Sequence, residues 1–241
     1  MRCFTIRIIG VVLFIVSMTV SVSFGTQIYQ VGVLDFPPFF IVKNDNEVGG
    51  TLADLLRRIL DKAGLNYEIH GYPPKRSFKN LKDGVTHITI GIKAVPGYEG
   101  HVLYGDSVID QIEICLYCRE NYPLLNSQDD MKGKKIITIR GYGYGGMAAF
   151  LTDPMNNITL DQTDSHELAL KTLLIGRGDY ALDYKRPAEE TIKTYSMSGL
   201  KYSVMKKLKI HLIVSKKTPD AENVLKKLEE AYNTLQNEEV K

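Results

Sequence analysis

Short apolar runs alternate along the chain with amphipathic stretches, and this order predicts an α/β protein. Runs rich in apolar and β-branched residues predict strands, and apolar residues at three- and four-residue spacing predict helices. The predicted strands cover residues 28–34, 67–72, 86–90, 111–119, 135–139, 158–160, 180–183 and 210–214. The predicted helices cover residues 52–63, 77–82, 147–151, 165–175 and 220–236. The repeated strand-helix-strand order is typical of parallel, doubly wound sheets.

Polar and glycine residues mark the ends of these elements. Thr51 is predicted to cap the first helix and Gly64 to end it. Asp164 or Ser165 is predicted to cap the helix that ends near Ile175. The strand at 111–119 is the expected route between two lobes.

Two strands run directly into loops with candidate binding residues. The strand at 28–34 leads into the aromatic loop, residues 35–40, which reads Asp-Phe-Pro-Pro-Phe-Phe. The strand at 135–139 leads into the glycine loop, residues 140–146, which reads Arg-Gly-Tyr-Gly-Tyr-Gly-Gly. Ligands of α/β sheets bind beyond the carboxyl ends of strands, so two such units predict two lobes that share one ligand.

The first 25 residues read as a secretory signal. Arg2 and Arg7 supply a positive start, residues 8–20 form an apolar run, and residues 23–25 are typical of a cleavage site. An uncleaved anchor is the alternative, since the run is nearly long enough to cross a bilayer. We expect cleavage, and therefore a periplasmic protein.

The charge balance excludes one class of partner. Without Arg2 and Arg7, the 30 basic residues become 28 and balance the 28 acidic residues. A nucleic-acid-binding protein needs a basic surface that displaces counterions, so we expect no nucleic acid partner.

Cys115 and Cys118 have the spacing of a redox pair or of half a zinc site. They lie in an alternating strand pattern that directs the two thiols to opposite faces of the sheet. No second Cys/His pair lies nearby, so we expect structural thiols or at most a local disulfide, and no metal. Their redox state stays open.

The glycine loop is a candidate ligand contact through Gly141, Tyr142 and Tyr144. Its backbone amides at a predicted helix start could bind an anion, although a purely structural turn is equally consistent with the sequence. Gly141, Gly143 and Gly146 have dinucleotide-fingerprint spacing, but the acidic residue expected about 20 positions on is missing. We therefore expect no cofactor.

Several aromatic and charged residues are candidates for the wall of a binding cleft. Each could equally have an ordinary structural role: the aromatic residues in core or hinge packing, Arg76 as a solvated residue at a helix start. For His70, His87 and His166 we expect surface or core roles rather than metal binding, since none has a second ligand at metal spacing. The candidates are Phe39, Phe40, Tyr72 and Tyr98, with Arg76 at a helix start for an anionic group.

In order and spacing, several segments of the chain resemble the family 3 extracellular solute-binding proteins, periplasmic components best known for binding polar amino acids. The segments that carry this resemblance are 31–39, 49–56, 79–91, 131–136 and 176–181. The resemblance covers nearly all of the chain after residue 25. It implies the type II periplasmic-binding-protein fold, with lobe 1 at residues 26–110 plus 209–241 and lobe 2 at residues 111–208.

The chain departs from the family pattern at ligand positions. Tyr98 stands where family members carry the Arg that binds an α-carboxylate, and the accompanying Thr is missing. The family's second-lobe Asp, which accepts the amino group, corresponds to Asp183 or Tyr184. The resemblance therefore implies a cleft of this family with an altered ligand.

We expect a monomeric binding protein, not an enzyme, that captures a small polar solute, amino-acid-like or a small carboxylate. A membrane ABC permease would then accept the solute. A periplasmic sensor is one alternative. A small dehydratase-like enzyme is another, and it would need Asp35 or Glu99 held in the cleft with a raised pKa. Asp35 is also a candidate ligand contact.

Overall fold

The computed structural model describes residues 27–44, 47–93, 95 and 97–239, so the predicted signal segment lies outside the described residues. The strands are β1 (Ile28–Leu34), β2 (Ile41–Asn44), β3 (Glu47–Gly49), β4 (Asn66–Tyr72), β5 (Ile88–Ile92), β6 (Val102–Tyr104), β7 (Asp110–Arg119), β8 (Lys135–Ile139), β9 (Thr159–Thr163), β10 (Tyr180–Tyr184) and β11 (Leu200–Ser215). The helices are α1 (Thr51–Lys62), α2 (Pro74–Asp83), α3 (Met147–Thr152), α4 (His166–Leu174), α5 (Lys185–Thr194) and α6 (Ala221–Glu239).

One long sheet carries the two halves of the fold, in the order β4-β1-β5-β11-β7-β10-β8-β9, with β6 also paired to β11. At one end β1 is parallel to β4 and β5, and at the other end β8 is parallel to β9 and β10. These two parallel sets confirm the prediction of a doubly wound, two-lobed α/β fold.

The longest strand, β11, joins the two halves. Its residues from Leu200 to Ile210 pair with β7, and those from Ile210 to Val214 pair with β5, antiparallel in both cases. The lobe division near residue 209 stays a prediction. Only the last third of β11 was predicted as a strand, because its earlier part is rich in exposed lysines and lacks a continuous apolar run.

The start of α1 differs from its prediction. The predicted cap, Thr51, is the first helical residue, and Gly50 is the N-cap without any side-chain hydrogen bond. The reason is that the aromatic loop does the capping: Pro38 O accepts from Thr51 N–H at 3.1 Å, and Phe39 O accepts from Leu52 N–H at 3.0 Å. The cap on α4 is as expected, since Ser165 Oγ accepts from Leu168 N–H at 3.2 Å.

Four of the described strands and helices were not predicted: β2 and β3, which form a hairpin, β6 and α5. Helix α5 has a proline in its first turn and buries only Pro187 and Ala188, so its apolar periodicity is weak. Tertiary packing determines such elements more than their local pattern does.

The two cysteines confirm the alternation of β7. Both are free thiols and fully buried, and they lie in two different core clusters. Burial raises the pKa of the Cys115 thiol to about 12 and also raises that of Cys118, so neither has the character of a reactive thiolate.

Candidate binding site

A cavity of about 440 Å³ lies between the two halves, at the point where the aromatic loop and the glycine loop face each other. This volume is within the range of small-molecule sites. From the first half, Leu34, Phe36, Phe40 and Tyr98 line it, and from the second half residues 141–146 of the glycine loop and Tyr184 do so. The carboxyl ends of β1 and β8 therefore meet at one cavity, as the two strand-to-loop units predicted.

The aromatic loop is a compact turn closed by its own backbone. Phe36 and Phe40 exchange hydrogen bonds, with Phe36 N–H donating to Phe40 O at 2.9 Å and Phe40 N–H donating to Phe36 O at 3.0 Å. The Phe39 ring is 1% exposed and stacks on Phe36 with 5.4 Å between centroids. The loop thus directs Phe36 and Phe40 to the cavity while Phe39 supports them from the core.

The glycine loop has a backbone that few other residues could adopt. Gly141, Gly145 and Gly146 have φ values of 85°, 58° and 92°, and Tyr144 has a φ of 45°. Tyr144 is held there because its buried hydroxyl accepts from Ile139 N–H at 2.7 Å. The turns of the loop and the Tyr144 hydroxyl fix its conformation. The helix that follows, α3, is short, with six residues.

Aromatic rings from both halves meet beside the cavity and form what we call the aromatic cluster: Phe36, Phe39, Tyr142, Tyr144 and Tyr184. The Phe36 ring makes edge contacts with Tyr184 at 4.8 Å and with Tyr142 at 5.7 Å. Tyr144 stacks on Tyr184 at 5.5 Å. Contacts of this geometry stabilise beyond the buried area alone, so the cluster holds the two halves together at the cavity.

A buried acid lies behind this cluster. Asp183 is fully buried, and both of its carboxylate oxygens lie within 2.9 Å of His166 Nδ1. His166 Nε2 lies 3.3 Å from the Tyr142 hydroxyl. Burial raises the pKa of Asp183, and the neighbouring His166 opposes that rise. The chain Asp183–His166–Tyr142 thus anchors a ring of the cavity wall to the core of the second half.

The predicted site residues fall into two groups. Tyr98, Gly141, Tyr142 and Tyr144 line the cavity. Asp35, Tyr72, Arg76 and Asp183 are not among its lining residues, and neither is Phe39. Asp35 is exposed and accepts from Val42 N–H, Arg76 is exposed on α2, and Tyr72 lies at the end of β4 near His70.

Sequence reasoning did not predict Phe36, His166 or Arg186 as site residues, and it considered Tyr184 only as the alternative to Asp183. Phe36 and Tyr184 each follow a predicted strand by one or two residues, and this position could have indicated them. His166 gave no such signal, because its partner Asp183 is 17 residues away on another element. Arg186 makes two hydrogen bonds to Asp110 and lies 5.0 Å from the centre of the Phe39 ring, a contact across the two halves.

Neither a protein-family model nor a curated protein sequence matches this chain. Solved structures do match it, at low identity. The substrate binding protein of an amino acid ABC transporter is 21% identical, with 88% of this chain and 94% of that chain covered and a TM-score of 0.64. A histidine kinase sensor domain with similarity to periplasmic binding proteins is 19% identical, with coverages of 87% and 90% and a TM-score of 0.70.

A third match is an arginine-bound mutant of ArgBP from T. maritima, which is 19% identical, with coverages of 86% and 95% and a TM-score of 0.65. All three are named as binding proteins or as a sensor domain. No helix among residues 27–44, 47–93 and 97–239 is long and apolar enough to cross a membrane. The chain has the two-lobed fold of periplasmic binding proteins.

Proposed function

We propose that this protein is a divergent family 3 solute-binding protein of the periplasm, which captures a small molecule between its lobes. The single observation that carries the proposal is the cavity of about 440 Å³ where the two halves meet, with rings from both lining it. The fold shared with binding proteins supports the same function. The protein would act as a monomer and deliver its solute to an ABC permease.

The mechanism that we propose is closure of the lobes around the ligand. Contacts between the halves are made by the aromatic cluster and by Arg186 with Asp110. A ligand that contacts both walls binds the closed state better and shifts the population towards it. The strands β7 and β11, which pair with each other where the two halves join, are the proposed hinge.

A sensor is the second candidate, favoured by the match to a histidine kinase sensor domain. The binding step would be the same, and the closed form would act on a kinase instead of a permease. An adjacent permease gene supports transport, and an adjacent kinase gene supports sensing. An enzyme receives less support, since Asp35 and Glu99 are exposed and neither lines the cavity.

The test is a thermal-shift screen with amino acids, small carboxylates, amines and neutral compounds. We expect at least one solute to raise the melting temperature, because a ligand of the folded state stabilises it in proportion to ln(1 + [L]/Kd). Ala148 lines the cavity, so Ala148→Trp should abolish the shift. The control, Ile175→Trp, adds bulk at a residue that is 67% exposed and should keep it. A screen without any stabilising solute would contradict the proposal.

A further inference from the structure

The described residues that line the cavity include no charged side chain. Apolar and aromatic residues dominate the wall, with Ile90, Ile112 and Ile213 beside the tyrosines. The polar side chains present are hydroxyl groups, those of Ser77, Thr89 and the tyrosines. These groups can donate or accept hydrogen bonds, but they cannot neutralise a buried ionic group.

Three charged side chains that contact residues of this site already have partners. Asp183 is paired with His166 at 2.8 Å, behind the aromatic cluster. Arg186 is paired with Asp110 at 2.6 Å. A third charge, the Lys206 ammonium, donates to Gly145 O at 2.6 Å. These three charges are therefore already engaged within the protein.

From this arrangement we infer that the ligand is a small neutral molecule with a mainly apolar, ring-sized body. The inference narrows the proposed function and depends on it. Transfer of an unpaired carboxylate or ammonium from water into such a wall is strongly unfavourable, whereas an apolar body gains from burial. Phe36, Tyr142 and Tyr184 offer ring edges and faces to an aromatic body.

Three probes with the same ring test this inference: benzyl alcohol, benzoate and benzylamine, measured by isothermal titration calorimetry near pH 7. They differ in charge and share their apolar body. We expect benzyl alcohol to bind at least tenfold more tightly than either ion. Equal or tighter binding of benzoate or benzylamine would overturn the inference and leave the proposed function standing.

A charge placed in the wall should reverse the preference. Ala148→Lys puts an ammonium group on the cavity side of α3, and Ala148→Met is the neutral control of similar length. We expect the lysine variant to bind benzoate at least tenfold more tightly than the methionine variant and to bind benzylamine more weakly. An unchanged ratio of benzoate to benzyl alcohol affinity would mean that these probes do not occupy this cavity, and the inference would fail.

The two proposals fail in different ways. If none of the three probes binds but an ionic solute from the wider screen does, the inference is wrong and the binding function stands. If no compound in either set binds, the proposed function fails and the inference fails with it.

Discussion

The aromatic loop and the glycine loop face each other across the cavity, but they are held in place by different means. The aromatic loop is fixed by hydrogen bonds: Phe36 and Phe40 bond to each other, and the carbonyls of Pro38 and Phe39 accept from the first turn of α1. The glycine loop also has a backbone hydrogen bond of its own, from Gly146 N–H to Gly143 O at 3.0 Å, but it differs in its positive φ at Gly141, Gly145 and Gly146 and in the buried hydroxyl of Tyr144.

Because of this difference, the two loops can offer different chemical groups to a ligand. The carbonyls of Phe36, Pro38, Phe39 and Phe40 accept hydrogen bonds from the protein itself, so this loop contributes side chains, those of Phe36 and Phe40. The glycine loop contributes both rings and backbone, since Gly141 and Gly143 line the cavity. Damage to the attachment of the first loop to α1 should therefore appear mainly as lost stability, and damage to the second loop should also affect ligand binding.

The largest expected effect comes from Gly50→Ala, which breaks the attachment of the aromatic loop to α1. Gly50 has a φ of 105°, and an added Cβ would lie 2.5 Å from Phe39 O. We expect the free energy of unfolding to fall by about 4 kcal/mol, from backbone strain and a clash that no side chain can relieve. Chemical denaturation measures this change.

Gly49→Ala is the matched control for that experiment. An added Cβ at the neighbouring Gly49 would have no atom within 4 Å, and this residue has no positive φ, so its substitution should change stability by less than about 1 kcal/mol. Similar losses in both variants would mean that the attachment of the loop to α1 does not depend on the geometry of Gly50.

The second effect concerns the support behind the glycine loop. His166→Ala leaves Asp183 buried without its partner, and we expect a loss of about 3 kcal/mol at pH 7. The matched control is Glu167→Ala, which removes an exposed ion pair with Lys171 from the same helix turn and should have little effect. Equal losses in the two variants would contradict a special role for the buried pair.

The loss in His166→Ala should depend on pH. Burial raises the folded-state pKa of Asp183, so its neutral form favours folding. That contribution is present below the unfolded pKa of about 4 and is lost as pH rises through the folded pKa. Without His166 the folded pKa rises further, so the deficit relative to the native protein should shrink as pH falls towards 4. Urea denaturation at several pH values measures this, and a constant deficit would exclude Asp183 as its source.

The sequence predicted most of the framework because the framework depends on local pattern. Both β1 and β8 begin and end where predicted, since each is an apolar run bounded by turn residues. The prediction of the start of α1 was wrong because the cap comes from a loop more than ten residues away, which periodicity cannot reveal. Helix α5 was missed because its apolar face is small.

The candidate site was predicted where glycine spacing and strand ends indicate it, as for Gly141 and Tyr142. Which ring of the aromatic loop faces the cavity was not predictable, because Phe36, Phe39 and Phe40 are similar and the turn decides their directions. The sequence also did not indicate that the described wall of the cavity lacks charged side chains, because Arg76 and Asp183 both look suitable as ligand contacts in the sequence. Their exposure and pairing are properties of the folded chain.

The smallest expected effect on stability comes from Gly145→Ala in the glycine loop. Gly145 has a φ of 58°, and an added Cβ would lie 2.6 Å from a Leu208 methyl group. We expect a loss of about 2 kcal/mol, less than at Gly50, because the flexible Leu208 side chain can move whereas a carbonyl cannot. Gly143→Ala is the matched control, since Gly143 has a φ of −88° and open space at its Cβ position.

Ligand binding distinguishes the two glycine-loop variants further. Gly143 lines the cavity, so Gly143→Ala should keep the stability of the native protein yet change solute affinity. Adding Leu208→Ala to Gly145→Ala should recover less than half of the lost stability, because it removes the clash and leaves the backbone strain. Full recovery in that double variant would show that side-chain packing, and not the left-handed backbone, sets the conformation of this loop. The two loops would then differ only in the neighbour of each glycine: a backbone carbonyl at Gly50 and the Leu208 side chain at Gly145.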